Sequence, residues 1–164
     1  MTEMHHRPEL RKSRDTRELY SEIEIHPSPG RIWAILSEFQ RYPEWNPFIR
    51  SVQGTLAVGE RITAYLQPPG GFGMKIHPVI LNVVPEREFR WTGHLFVRGL
   101  FDGEHVFEIQ PRGIGHGLFI QHEYFSGLLI PFIVTMLNTN TARGFADMNK
   151  ALKARAEQPA VVVP

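Results

Sequence analysis

Apolar residues along this chain follow two different rhythms: threes and fours at two places, and alternation over most of the length between them. From Leu128 to Ala156 the apolar positions are Leu129, Phe132, Ile133, Met136, Leu137, Phe145, Met148 and Leu152, the spacing of one helical face. From Phe132 onward this predicts a helix of about 37 Å, long enough to cross most of a domain of this size. Asn140 and Thr141 interrupt the stripe and are expected to place polar groups at the helix–sheet interface. The second helical pattern follows Pro27-Ser28-Pro29, where Ser28 suits an N-cap and Pro29 the first helical position. It continues through Ile32, Trp33, Ile35, Leu36 and Phe39, and the prolines in Tyr42-Pro43-Glu44-Trp45-Asn46-Pro47 then permit only a short helix or turn, anchored by Trp45.

Alternation marks the strands. Leu19–His26 carries Ile23 and Ile25 on one face, and further strands are expected over 49–56, 61–66, 74–84, 89–95, 105–109 and 117–125. Tight turn sequences separate them, among them Pro68-Pro69-Gly70-Gly71, Pro85-Glu86-Arg87 and Pro111-Arg112-Gly113, which indicates an antiparallel meander. Pro78 inside the 74–84 run argues for a sheet edge or bulge there. The expected order is one strand, two short helices, six strands and one long helix, an α+β domain over residues 19–156 with flexible tails at 1–18 and 157–164.

Composition narrows the classes. The 164 residues fit one domain with a sizeable core. A formal charge of +1, with basic and acidic residues interspersed, gives no general attraction to nucleic acid. No cysteine is present, which excludes thiolate chemistry and disulfides and agrees with a cytoplasmic location. The longest apolar run, Leu128–Leu137, is too short to span a bilayer, so no integral membrane association is expected.

The element order, together with certain residues, resembles the START-like or SRPBCC superfamily, and more narrowly its polyketide cyclase/dehydrase branch. The residues that carry the resemblance are Ile32-Trp33-Ala34-Ile35-Leu36, Tyr42-Pro43-Glu44-Trp45-Asn46-Pro47-Phe48, Arg87-Glu88-Phe89-Arg90-Trp91 with Gly93, Phe101-Asp102-Gly103-Glu104-His105 and Glu123-Tyr124-Phe125-Ser126-Gly127. The resemblance covers roughly residues 20–156. It implies a helix-grip fold, in which a bent seven-stranded antiparallel sheet wraps a long C-terminal helix, and a hydrophobic tunnel between the two.

Candidate chemistry follows the strand faces. Phe89, Trp91, Phe107, Phe119 and Phe125, with Phe132 from the helix, either fill the core or line a pocket for a flat apolar ligand. Trp45, Met74, Ile76, Phe101 and Met136 are further candidates for that wall, and Asn140 for a ligand-facing amide. The expected partner is a small hydrophobic or amphipathic molecule. Of the strand histidines, His105 shares a face with Phe107 and Ile109 and points inward, whereas His77, His94 and His122 fall on outward faces. No HExxH-like motif or helical i, i+4 histidine pair is present, so neither a metal nor another cofactor is expected. Gln121 and Glu123, inward between Phe119 and Phe125, are costly to bury unless paired or solvated. They either pair structurally or orient a ligand, and Glu123 or His105 is a candidate to move a proton as a cyclisation requires. The Gly70-Gly71-Phe72-Gly73 loop lacks phosphate-loop spacing and reads as a hairpin over the cavity mouth, with Leu100 and Phe101 as a second lip. Apolar loop tips of this kind serve equally as a homodimer or partner contact.

Overall fold

The computed structural model describes residues 5–12, 16–95 and 97–159. A six-stranded antiparallel sheet forms the body. Its strands are β1 (His5–Lys12), β2 (Arg17–Ile25), β6 (Val79–Val84), β7 (Glu88–His94), β8 (Asp102–Pro111) and β9 (Gly117–Ser126), in the order β1-β2-β9-β8-β7-β6. A second sheet holds β3 (Ile49–Gln53), β4 (Thr63–Leu66) and β5 (Met74–Ile76). Between β2 and β3 lie α1 (Pro29–Ser37), a 3₁₀ turn at Phe39–Arg41 and α2 (Tyr42–Trp45). The chain ends in a helical rod made of α3 (Ile130–Met136), a π-helical segment (Leu137–Thr141) and α4 (Ala142–Glu157). This is the helix-grip arrangement.

Three departures from the sequence reading have local causes. The expected 74–84 strand is two strands in different sheets. Proline at 78 has no N–H for a ladder, and the chain turns the corner there, with the Arg61–Val79 bridge and the Ile62 N–H bonded to Pro78 O (2.9 Å) joining the two sheets. His5–Lys12, read as part of a flexible tail, pairs with β2 as an edge strand. The inward face of α3 is the third. Leu128–Leu137 is apolar on nearly every side, so its periodicity does not single out one face. Packing selects Ile130 and Leu137, leaving Phe132 about 200° away from Ile130 at 100° per residue and exposed.

The π-helical widening falls where the sequence is Leu-Asn-Thr-Asn-Thr. Short polar side chains there compete for backbone groups, and Thr139 Oγ1 donates to Thr135 O at 2.8 Å. Beyond it, α4 lays Phe145, Met148 and Leu152 on the sheet, all fully buried. Gly144 permits the closest approach, since a Cβ there would overlap the ring of Phe48. From the sheet, Leu19, Ile23, Phe89, Phe107 and Phe119 meet this face, and Ile32 and Leu36 of α1 close its end.

Candidate functional site

Period-two alternation turns two adjacent rows of side chains toward the helix. Register pairs Trp91 with His105, His105 with Glu123, and Glu123 with Leu19. The next row pairs Phe89 with Phe107, Phe107 with Gln121, and Gln121 with Ser21. Four polar residues, His105, Glu123, Gln121 and Ser21, thus stand together in a largely aromatic wall, where burial without a partner is costly.

His105, Gln121 and Ser21 belong, with Asn149, to one chain of hydrogen bonds whose direction is determined. Gln121 Nε2 lies 3.4 Å from the backbone oxygen of Phe145, which can only accept, and 2.6 Å from Asn149 Oδ1. The amide nitrogen therefore faces α4, and Gln121 Oε1 faces His105 Nε2 at 3.1 Å. The imidazole must donate there, so its proton sits on Nε2 and Nδ1 keeps a lone pair. Asn149 Nδ2 in turn donates to Ser21 Oγ at 3.2 Å. The bare Nδ1 of His105 faces Glu123 Oε2 at 3.9 Å, beyond a direct hydrogen bond.

Burial decides the protonation of both groups. His105 stacks on Phe107 with centroids 3.9 Å apart and on Phe145 at 4.8 Å. Loss of solvation lowers its pKa to about 3, against the opposing bond to Gln121. The same desolvation raises Glu123 to about 8. At neutral pH the site thus holds a neutral imidazole and a protonated carboxylic acid, one with a free lone pair and the other with a proton to give.

Glu123 also lines an apolar pocket that opens beside this row. The pocket is about 60 Å³, between the ends of β4, β5 and β7 and the turn before β8. Met74, Ile76, Trp91, Phe101 and Glu123 of the sequence-predicted residues line it. Leu66, Gly93, His94, Leu95 and Gly103 line it too and were missed. A signal existed for two of them. Gly93 and Gly103 lie opposite each other in β7 and β8, and glycine inside a strand marks room for a close approach. A Cβ on Gly103 would sit 3.2 Å from Glu123 Oε1. His94, expected to face outward, borders the pocket because it ends its strand at the mouth.

The remaining candidates lie elsewhere. Phe89, Phe107, Phe119 and Phe125 are closed into the core, and Gln121 and His105 lie behind the pocket rather than on it. Phe132 and Met136 are on the outer face of α3, for the reason of phase given above. Asn140 faces the β4–β5 loop, where a Cβ on Gly71 would lie 3.5 Å from its Nδ2. Trp45 packs on Tyr42 at 5.1 Å, away from the pocket, with its Nε1 buried and without an acceptor among the described residues. Among the described residues no group of three or more histidine, aspartate or glutamate side chains is placed to hold a metal ion. No helix among them is long and apolar enough to cross a membrane.

Residues 16–157 match the family described as polyketide cyclase / dehydrase and lipid transport. The chain belongs to that family. Its fold is shared by the Zhui aromatase/cyclase of a Streptomyces species, at 12% identity and a TM-score of 0.74, over 90% of this chain and 99% of that one. A START superfamily protein from Mycobacterium smegmatis is 22% identical, with a TM-score of 0.65 over 86% of this chain and 97% of its own. Norcoclaurine synthase from Thalictrum flavum, in complex with dopamine and hydroxybenzaldehyde, is 15% identical, with a TM-score of 0.65 over 88% and 90% of the two chains. No curated protein sequence matches the chain. Membership of the family is consistent with a hydrophobic ligand or a cyclase-type reaction, and at these identities the structural neighbours speak for fold alone.

Proposed function

We propose that this family member binds a small apolar or amphipathic molecule in the pocket beside Trp91, with Glu123 as its polar anchor. The observation that carries the reading is that Glu123 is the one carboxyl group in an otherwise largely apolar lining and is kept protonated near neutral pH. A protonated acid in such a place donates a strong hydrogen bond to a carbonyl or hydroxyl oxygen without the cost of a buried charge. At about 60 Å³ the pocket is well below the roughly 300–1,000 Å³ of drug-sized sites. A multi-ring or long-chain ligand therefore requires the 67–73 and 97–101 loops to move apart.

A second reading, proton-transfer catalysis on a polyketide-like substrate, is favoured by the bare Nδ1 of His105 aimed at Glu123. Glu123 would exchange a proton with the substrate, and His105, behind it, would act as a positioning residue held by Gln121. Native mass spectrometry of the purified protein, followed by extraction under denaturing conditions, tests the shared premise. A retained apolar molecule released on unfolding is the expected result. An empty protein that also fails to bind fatty acids and aromatic polyketides overturns both readings. Glu123→Gln then separates them, since the amide still donates and binding is kept in both: turnover by the wild type that the variant loses marks the enzyme, and no turnover by either marks the binding protein.

A further inference from the structure

Three neighbouring segments beside the pocket carry several strongly exposed apolar side chains. Leu128 is 75% exposed, Phe132 84% and Phe72 93%, and Val97 and Met136 are exposed as well. These side chains lie on three segments that the fold gathers at one pole. The 97–101 turn is tied to the start of the C-terminal rod by Leu128 N–H to Gly99 O (3.1 Å) and Leu129 N–H to Leu100 O (2.9 Å). The 67–73 loop adjoins the π-helical segment through Gly71 and Asn140. Leu66, Met74 and Phe101, at the roots of the loops, line the pocket itself.

The charge there is one-sided. Residues 67–73, 97–101 and 127–143 contain no aspartate or glutamate, while Arg98 and Arg143 are exposed among them. The nearest carboxylate in sequence, Asp102, is turned back onto the Gly99 N–H at 2.9 Å and 3.1 Å. Acidic residues collect instead on the outer face of the large sheet, at Glu18, Glu88, Glu104 and Glu108, so a chain with a formal charge of +1 presents an apolar, basic pole.

We infer that this pole docks on an anionic lipid bilayer, with Leu128, Phe132 and Phe72 entering the interface and Arg98 and Arg143 meeting headgroup phosphates. Exposed rings and leucines flanked by arginines gain from both apolar insertion and the negative surface potential. A second copy of the chain fits the same surface less well. A two-fold contact through this pole would bring like-charged arginines toward each other within an apolar interface. The docking places the pocket mouth against the lipid phase. It does not depend on whether Glu123 does chemistry.

The test is co-sedimentation of the full chain with vesicles of equimolar phosphatidylcholine and phosphatidylglycerol, beside vesicles of phosphatidylcholine alone. Binding is expected on the mixed vesicles and several-fold weaker on the neutral ones. Phe132→Asp should lower the partition coefficient about tenfold or more, the loss of one buried aromatic ring. Arg98→Gln should lower it about fivefold. Both side chains are exposed, so the folded state is retained, which far-ultraviolet circular dichroism checks, and Leu128→Asp provides an independent variant. Equal binding to both vesicles, or binding unchanged by Phe132→Asp and Leu128→Asp, overturns the inference. So does the absence of binding to the mixed vesicles, and a dimer in sedimentation velocity that Phe132→Asp dissociates would then assign the surface to a second copy.

Discussion

Glu123→Gln measures what it costs the fold to hold a carboxyl group away from water. Burial raises that group from its ordinary 4.5 to about 8, which at ~1.4 kcal/mol per unit corresponds to about 5 kcal/mol. The side chain retains 17% exposure at the pocket, and solvent there reduces the figure to on the order of 3 kcal/mol. The sign follows from proton binding. Below about pH 4.5 the carboxyl is protonated in both folded and unfolded chains, and there is no penalty. As pH rises the unfolded chain ionises first, so stability falls until the folded carboxyl also ionises near pH 8, and is flat beyond.

His105 slopes the other way. Its pKa is lowered from 6.5 to about 3, so its contribution to stability is full above pH 6.5 and is lost as pH falls toward 3. Between about pH 4.5 and 6.5 the two effects oppose each other, and between about 6.5 and 8 only that of Glu123 remains. Urea unfolding of the wild type and of Glu123→Gln, followed by tryptophan fluorescence across this range, isolates it. The constant effect of the amide cancels in the slope. The variant should gain on the order of 3 kcal/mol relative to wild type between the acid and alkaline ends, nearly all of it before pH 8. Parallel stability curves would refute the claim that Glu123 is protonated in the neutral folded protein.

Two further substitutions probe the supports of the site. Gln121→Leu leaves the His105 Nε2–H and Asn149 Oδ1 without their partner and should cost roughly 2–5 kcal/mol in denaturant unfolding. Nitrogen-15 spectra of the imidazole should show that proton no longer confined to Nε2. Gly127 has φ 120°, and a Cβ there would overlap the carbonyl oxygen of Leu100. Gly127→Ala should therefore destabilise by on the order of 1–3 kcal/mol. It should also speed hydrogen exchange at the Leu128 and Leu129 amides, which bond across to the 97–101 turn.

Alternation along β7, β8 and β9 was enough to put Trp91, His105, Gln121 and Glu123 on the inner face, because a strand has only two sides and the aromatic residues choose one. The order of strands and helices was legible for a similar reason, while the helix-grip fold came from the family resemblance. Each change of rhythm, and each proline or glycine cluster between rhythms, is a local property of the chain. What neighbours each inward residue has is not local. Gln121 is satisfied by Asn149 and Phe145, more than twenty positions away on α4, and no pattern within β9 specifies that contact. His105 and Glu123 share a register row only because β8 and β9 pair as they do, and their opposite protonation shifts come from the depth of burial at that row. The largely apolar Leu128–Leu137 run marks the limit of what the sequence determined. It forms a helix, but a helix apolar on nearly every side can bury any of several faces. Packing chose Ile130 and Leu137, and so turned Phe132 from an expected pocket wall into an exposed ring on the outer face of α3.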